Sequence, residues 1–175
     1  MNTQPLFTPR LILRAPTVDD VASVLAIYGD PETHRYNPAG PLADIAQAKA
    51  ALDRWLAHWA THGFGQWAIS TRDAPEWVIG FGGITLYPYN EVERINLGYR
   101  FAVSAWGKGY ATELATAALH YGFKALDQPQ VYGVVRPGHQ ASIKVLEKIG
   151  MQRIDELDDV PGQAPSLVYV ATRPA

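Results

Sequence analysis

No cysteine occurs anywhere in the 175 residues. Disulfides, thiolate metal sites and thiol nucleophiles are thereby excluded, and the composition fits a reducing compartment. Long apolar runs are missing as well: the opening "MNTQPLFTPR" has no segment of signal length, and nothing approaches the roughly 20 apolar residues of a membrane span. The expectation is a cytoplasmic protein without a membrane partner. An excess of either charge is also lacking, with 15 Lys+Arg against 17 Asp+Glu and a formal net charge of -2. So balanced a chain has no general field for nucleic acid, and any anion it holds must be bound by a local device. Internal repeats, low-complexity stretches and linkers are absent too. With 47% hydrophobic residues, this length suits one domain over residues 1–175, its core from about residue 9 to 173, as a monomer or homodimer.

What is present is a pattern of apolar spacing that changes along the chain. "RLILRA" reads as a strand and "PTVDDVASVLAIYGDP" as a helix, with Thr17 and Asp20 at capping-box spacing. Val21, Val24, Leu25 and Tyr28 share its face, and Gly29 with Pro31 stops it. After the irregular "PETHRYNPAGP", a second helix is expected from about Leu42 to His62, with a stripe of Ile45, Ala48, Leu52, Trp55, Leu56 and Trp59, and Gly63 as terminator. "GQWAIST", "EWVIGFGGITLYPY" and "RINLGYRFAV" then alternate as antiparallel strands. A helix from about Tyr110 to Leu126, the strand "QVYGVV" and the helix "HQASIKVLEKIG" follow, the last with Ser142, Val145, Leu146 and Ile149 facing inward and Gly150 at its end. "MQRIDEL" and "SLVYVATR" close the sheet. The implied fold is α/β (α+β), a mixed, mostly antiparallel sheet of about seven strands flanked by about four helices.

The segment "VSAWGKGYATEL" sets two glycines and a lysine directly before a helix. A triphosphate P-loop is excluded, because Lys108 is followed by Gly109 rather than Ser or Thr. A dinucleotide fingerprint fits poorly: the preceding "RINLGYRF" mixes polar and apolar residues, and Asp127 precedes the next strand instead of ending it. Two readings stay open on the residues alone. Either Gly107 and Gly109 simply turn a corner, or they let backbone approach a pyrophosphate, with the amides from Lys108 to Thr112 and the helix dipole behind it.

His58 and His62 stand four apart, but they lack the glutamate and third ligand of a helix-borne zinc motif, so no metal is expected. The tryptophans Trp55, Trp59, Trp67 and Trp77 lie on a helix stripe and in strands without interleaved basic residues, which argues against nucleic acid.

Three segments in order resemble one family. "AWGKGYATE" resembles the acetyl-CoA pyrophosphate loop of the GNAT N-acyltransferases, and "RPGHQASIKVLEKIGM" is similar to that family's next block. "TPRLILRAPTVDD" is similar to the opening of its RimJ/RimL-type branch, the protein N-terminal alanine acetyltransferases and their relatives. The resemblance implies an acetyl-CoA-dependent N-acetyltransferase acting on a primary amine, either a protein N-terminus or a small molecule. A non-catalytic acyl-CoA-binding module is the alternative. Acetyl-CoA would lie along the main chain of Phe101, Ala102 and Val103, with its pyrophosphate at Gly107, Lys108, Gly109, Tyr110, Ala111 and Thr112.

The resemblance also marks departures. Leu146 occupies the position of the family's usual acidic tyrosine, and Ser142, earlier on the same helix, is the proposed substitute acid. His139 replaces the family's capping asparagine near the cofactor arm, and histidine caps poorly. Asn96 stands where many relatives have a glutamate base; it can position a water or an amine but cannot take a proton. Glu91, Glu93, Glu156 and Asp158 are base candidates by position only. His34, Arg35, Tyr36, Asn37, Tyr87 and Tyr89 are expected on the acceptor side.

Overall fold

A computed structural model describes residues 4–175. Eight strands form one sheet: β1 (Leu6–Phe7), β2 (Leu11–Arg14), β3 (Gln66–Thr71), β4 (Ala74–Tyr89), β5 (Val92–Phe101), β6 (Gln130–Val135), β7 (Gln152–Leu157) and β8 (Ser166–Thr172). Their order across the sheet is β1-β2-β3-β4-β5-β6-β8-β7. All neighbours are antiparallel except β5 and β6. The eighth strand beyond the expected seven is β1, where Leu6 and Phe7 pair with Leu13 and Ile12. Two residues are too few for periodicity to reveal.

Four helices cover the sheet: α1 (Val21–Tyr28), α2 (Ile45–His62), α3 (Tyr110–Lys124) and α4 (Gln140–Lys148). The Thr17–Asp20 capping box forms, although it opens a 3-10 turn that leads into α1. Asp44 caps α2 by accepting from the Gln47 amide, so this helix starts later than Leu42, and Gly63 ends it at φ 74. The connection expected to be irregular contains a 3-10 turn, Pro31–His34.

Strand alternation sends successive residues to opposite faces and so sorts the core into two layers. Ala68 and Phe81 pack with Val24 and Ile27 of α1 and Ala48, Ala51 and Leu52 of α2. Trp67, Ile69, Ile84, Leu97 and Phe101 pack on the other face with Leu114, Ala115 and Ala118 of α3 and Ile143 and Leu146 of α4. Within α4, Ile143 takes the deep position and Ser142 is only half-buried, because one residue of rotation turns Ser142 toward the end of the sheet. Gly82 is required where α3 approaches: a Cβ there would lie 2.6 Å from the Tyr99 Cβ and 2.7 Å from Leu114 Cδ2.

His58 is engaged on both ring nitrogens. Its Nδ1 lies 2.8 Å from the Phe64 carbonyl, and its Nε2 accepts from the Leu86 amide at 3.1 Å, tying α2 to β4. Burial lowers its pKa, in keeping with a neutral ring that donates on one side and accepts on the other. Among the described residues no helix is long and apolar enough to cross a membrane.

Candidate active site

Strands β5 and β6 meet at one rung, Asn96 opposite Tyr132, and then part. From Leu97 onward, the edge of β5 toward β6 has no ladder partner, so its amides and carbonyls need another one. The parting opens a cleft of ≈ 980 Å³ that reaches from Asn96 to the loop before α3.

That loop brings Gly107 and Gly109 to φ 70 and φ 80, left-handed values that suit glycine. Gly109 is the N-cap of α3, and the amides of Tyr110, Ala111 and Thr112 donate to no other group among the described residues. Nothing lies within 4 Å of where a Cβ on Gly107 would sit. These features make a positive, open-sided cradle for an anion.

The cradle is held from a distance by Arg10, at the entry to β2. Arg10 Nη1 donates to the Lys108 carbonyl at 2.8 Å, and its Nε donates to Glu113 Oε2 at 2.7 Å. The guanidinium also lies 4.7 Å from the centre of the Tyr110 ring. Burial alone would raise the pKa of Glu113, but hydrogen bonds from the Thr8 hydroxyl and from Arg10 hold its carboxyl below the usual range. The carboxylate is thus tied to β2 instead of opposing an anion at the cradle.

A family model described as "Acetyltransferase (GNAT) domain" matches residues 10–152, and those residues contain both the parted strands and the cradle. The chain belongs to this GNAT acetyltransferase family. It is therefore an acyltransferase enzyme of a family that uses acetyl-CoA. The "Uncharacterized N-acetyltransferase YoaA" of Bacillus subtilis (strain 168) is 30% identical over 150 residues, covering 85% of this chain and 82% of that protein. An acetyltransferase from Agrobacterium tumefaciens str. C58 superposes with a TM-score of 0.81 at 26% identity, over 99% of this chain and 96% of that one. RimJ of Mycobacterium smegmatis, solved in complex with CoA-disulfide, has the same fold, with a TM-score of 0.77 at 22% identity over 97% and 86% of the two chains.

Within this GNAT cleft the residues singled out from sequence fall into two groups. Asn96, Phe101, Gly107, Gly109, Tyr110, Ala111, Thr112, His139 and Ser142 line it. Ala102, Val103 and Lys108 do not. The Ala102 amide donates to the Ile79 carbonyl, and Val103 begins a short 3-10 turn. The Phe101 carbonyl accepts from Trp106 Nε1 at 3.0 Å.

Tyr99 could not be singled out from spacing alone. Its hydroxyl lies 2.9 Å from Ser142 Oγ across 43 residues of sequence, and both side chains line the cleft. Burial pushes the Tyr99 phenol up to about 12, partly offset by the Ser142 hydrogen bond, so it is neutral and available to donate. Leu146, which the sequence resemblance sets where the family usually has an acidic tyrosine, is 3% exposed and packed in the core.

His139 starts α4 without a side-chain cap, and its ring stacks on Tyr36 with centroids 4.4 Å apart. Burial and the nearby Arg100 lower its pKa. The stack fixes the α1–α2 connection over the cleft. Arg35 is ion-paired with Glu32, and Asn37 accepts from the Ala39 amide at 2.9 Å. Tyr87 lines the cleft, whereas Tyr89 lies behind it and donates to Asn96 Oδ1 at 2.6 Å. The Asn96 oxygen is therefore already engaged.

Glu91 and Glu93 are exposed in the β4–β5 hairpin, and Glu156 pairs with Arg153 at 2.6 Å. The cleft-lining carboxylate of this C-terminal segment is Asp159, one residue beyond the position considered from sequence. It accepts from Ser166 Oγ at 2.7 Å.

Proposed function

We propose that the protein transfers an acetyl group directly from acetyl-CoA to a primary amine. The observation that carries this reading is the joining of two features in one cleft: a strand edge without a partner, and a helix N-terminus with free amides. Acetyl-CoA supplies the activated acetyl group and a pyrophosphate. The amides of Tyr110, Ala111 and Thr112, with Gly107 and Gly109 giving close approach, hold the pyrophosphate. The free edge of β5 after Asn96 hydrogen-bonds the extended arm. Lys108 adds charge from outside the cleft, and Ala102 and Val103 shape the turn rather than bind.

Ser142 faces the cleft where a leaving sulfur needs a donor, and Tyr99 stands behind it. With the phenol donating to Ser142 Oγ, the serine hydroxyl is free to donate into the cleft. A phenol near 12 is too weak an acid to hand its proton fully to a thiolate whose thiol titrates near ~8.5. Ser142 and Tyr99 therefore stabilise the departing sulfur by hydrogen bonding, and the surplus proton of the attacking amine balances the charge. Asn96, its oxygen held by Tyr89, turns its Nδ2 amide to acceptor or water.

The likeness to RimJ and the opening segment "TPRLILRAPTVDD" support a place near the RimJ/RimL-type branch, in the cytoplasm. Saturating acetyl-CoA is expected to raise the melting temperature by several degrees, as ~100 Kd of ligand adds roughly 2.7 kcal/mol. Free CoA is expected on addition of an amine from a panel of amino acids, polyamines and N-terminal peptides. An unchanged melting temperature, or no CoA release across the panel, would overturn the reading.

A further inference from the structure

Arg100 is the one charged group of the cleft that the structure leaves with only neutral neighbours. Arg35 is matched by Glu32, and Arg136 faces Asp159 at 3.7 Å while donating to Ser166 at 3.0 Å. Arg100 belongs to no ion pair among the described residues. Its Nη1 donates to His34 Nε2, and its guanidinium lies 4.7 Å from the centre of the Tyr28 ring. Burial lowers its pKa, but arginine starts high enough to stay cationic. A half-buried guanidinium with most of its five N–H groups unassigned lacks a planar anion.

The side of the sheet on which Arg100 stands limits what that anion is. Arg100 is opposite Phe81 on β4, which packs against α1 and α2. Tyr99 and Phe101, its neighbours in β5, turn the other way toward α3 and α4. The cradle at the start of α3 therefore lies beyond Arg100 along the strand and on the opposite layer, so a pyrophosphate there does not neutralise it. Tyr36 and Tyr87, expected on the acceptor side, share the cleft wall with Arg100, and so does His139, which stacks on Tyr36.

We propose that Arg100 binds a carboxylate of the acceptor, so that the amine acetylated belongs to a small amino-acid-like molecule with the carboxylate close to the amine. This rests on the acetyltransfer reading above and selects among its acceptors. A polyamine presents only positive charge to Arg100, and a protein N-terminus has an amide where the carboxylate would be. His34 is a positioning residue. Burial and Arg100 bring its pKa down to about 4, so it stays neutral and accepts from Arg100 instead of repelling it.

The test compares matched pairs on the full chain with acetyl-CoA as donor: leucine with isopentylamine and leucinamide, phenylalanine with phenethylamine, and histidine with histamine. Rates are corrected for the fraction of neutral amine. In at least one pair the carboxylated member is expected to lead by tenfold or more in kcat/KM. Arg100→Gln is expected to reduce that lead by about 10- to 100-fold, mostly through KM, and Arg100→Lys to keep part of it. A lead for the amines or amides, a lead that survives Arg100→Gln, or silence in every pair would overturn the proposal. Because a purely structural Arg100 would lower stability and both members of a pair alike, the ratio separates the two roles. Thermal stabilisation by acetyl-CoA is measured alongside: its presence with no carboxylate preference refutes only the Arg100 proposal, and its absence refutes the donor reading itself.

Discussion

The two ends of the cleft are built from different materials. At the α3 end the groups proposed to bind are backbone amides, exposed by two glycines with positive φ and the first turn of a helix. At the Arg100 end they are side chains from segments far apart in sequence: His34, Tyr36, Tyr87, Arg100 and His139. A main-chain cradle tolerates most side-chain changes and serves an invariant ligand. A side-chain wall changes with single substitutions, which suits the part of the reaction that varies between relatives.

The contrast can be broken most severely at the backbone end. Thr112→Asp places a carboxylate at the third position of α3, where acidic residues favour the helix dipole. Calorimetry should show affinity for acetyl-CoA falling at least ~100-fold, with the melting temperature of the unliganded protein held or slightly raised. Retained affinity would place the pyrophosphate elsewhere.

A smaller effect tests where the two ends meet. Ser142→Ala should lower kcat by roughly 30-fold and Tyr99→Phe by roughly tenfold, with little change in the KM for acetyl-CoA. The double variant should lose little more than Ser142→Ala alone, because Tyr99 acts through Ser142. Multiplicative losses would show two independent roles.

The smallest effect separates the ends by pH. His34 titrates at about 4 in the fold against 6.5 when free, so the unfolded chain takes up the proton first. The stability that depends on neutral His34 is complete above ~6.5 and falls as pH drops toward ~4, by about 2–3 kcal/mol at most. Asp20 and Glu113 have lowered pKa values, so their contribution is present above ~4 and lost only on further acidification. Denaturant midpoints should thus decline between pH 6.5 and 5 while binding of acetyl-CoA persists; His58 and His139, whose pKa values are lowered as well, add to that decline, and His34→Gln should make it shallower without abolishing it. A slope unchanged by that substitution would remove His34 as a source.

The same division explains what could be read from the chain. The loop and the α3 start follow from local spacing, because glycines and a helix onset each leave a contiguous mark, whereas the parting of β5 from β6 shows only in the folded sheet. The contacts of Tyr99 with Ser142, Arg100 with His34 and Arg10 with Glu113 span 43, 66 and 103 residues, and no local pattern encodes them. Alternation along β5 would have set Tyr99 and Arg100 on opposite faces, but not what each meets there. Asp159 was missed for a related reason: its place depends on Ser166 and Arg136 in the folded sheet.

The single rung between Asn96 and Tyr132 makes the sheet two half-sheets sharing a seam, five strands on one side and three on the other. Beyond that rung, residues of α3 and α4 pack against strands of both halves. Under the donor assignment proposed here, the arm of acetyl-CoA is a temporary strand in that seam. The enzyme completes its own secondary structure once per turnover, and amide exchange along Leu97 to Arg100 becomes a clock for the loaded state.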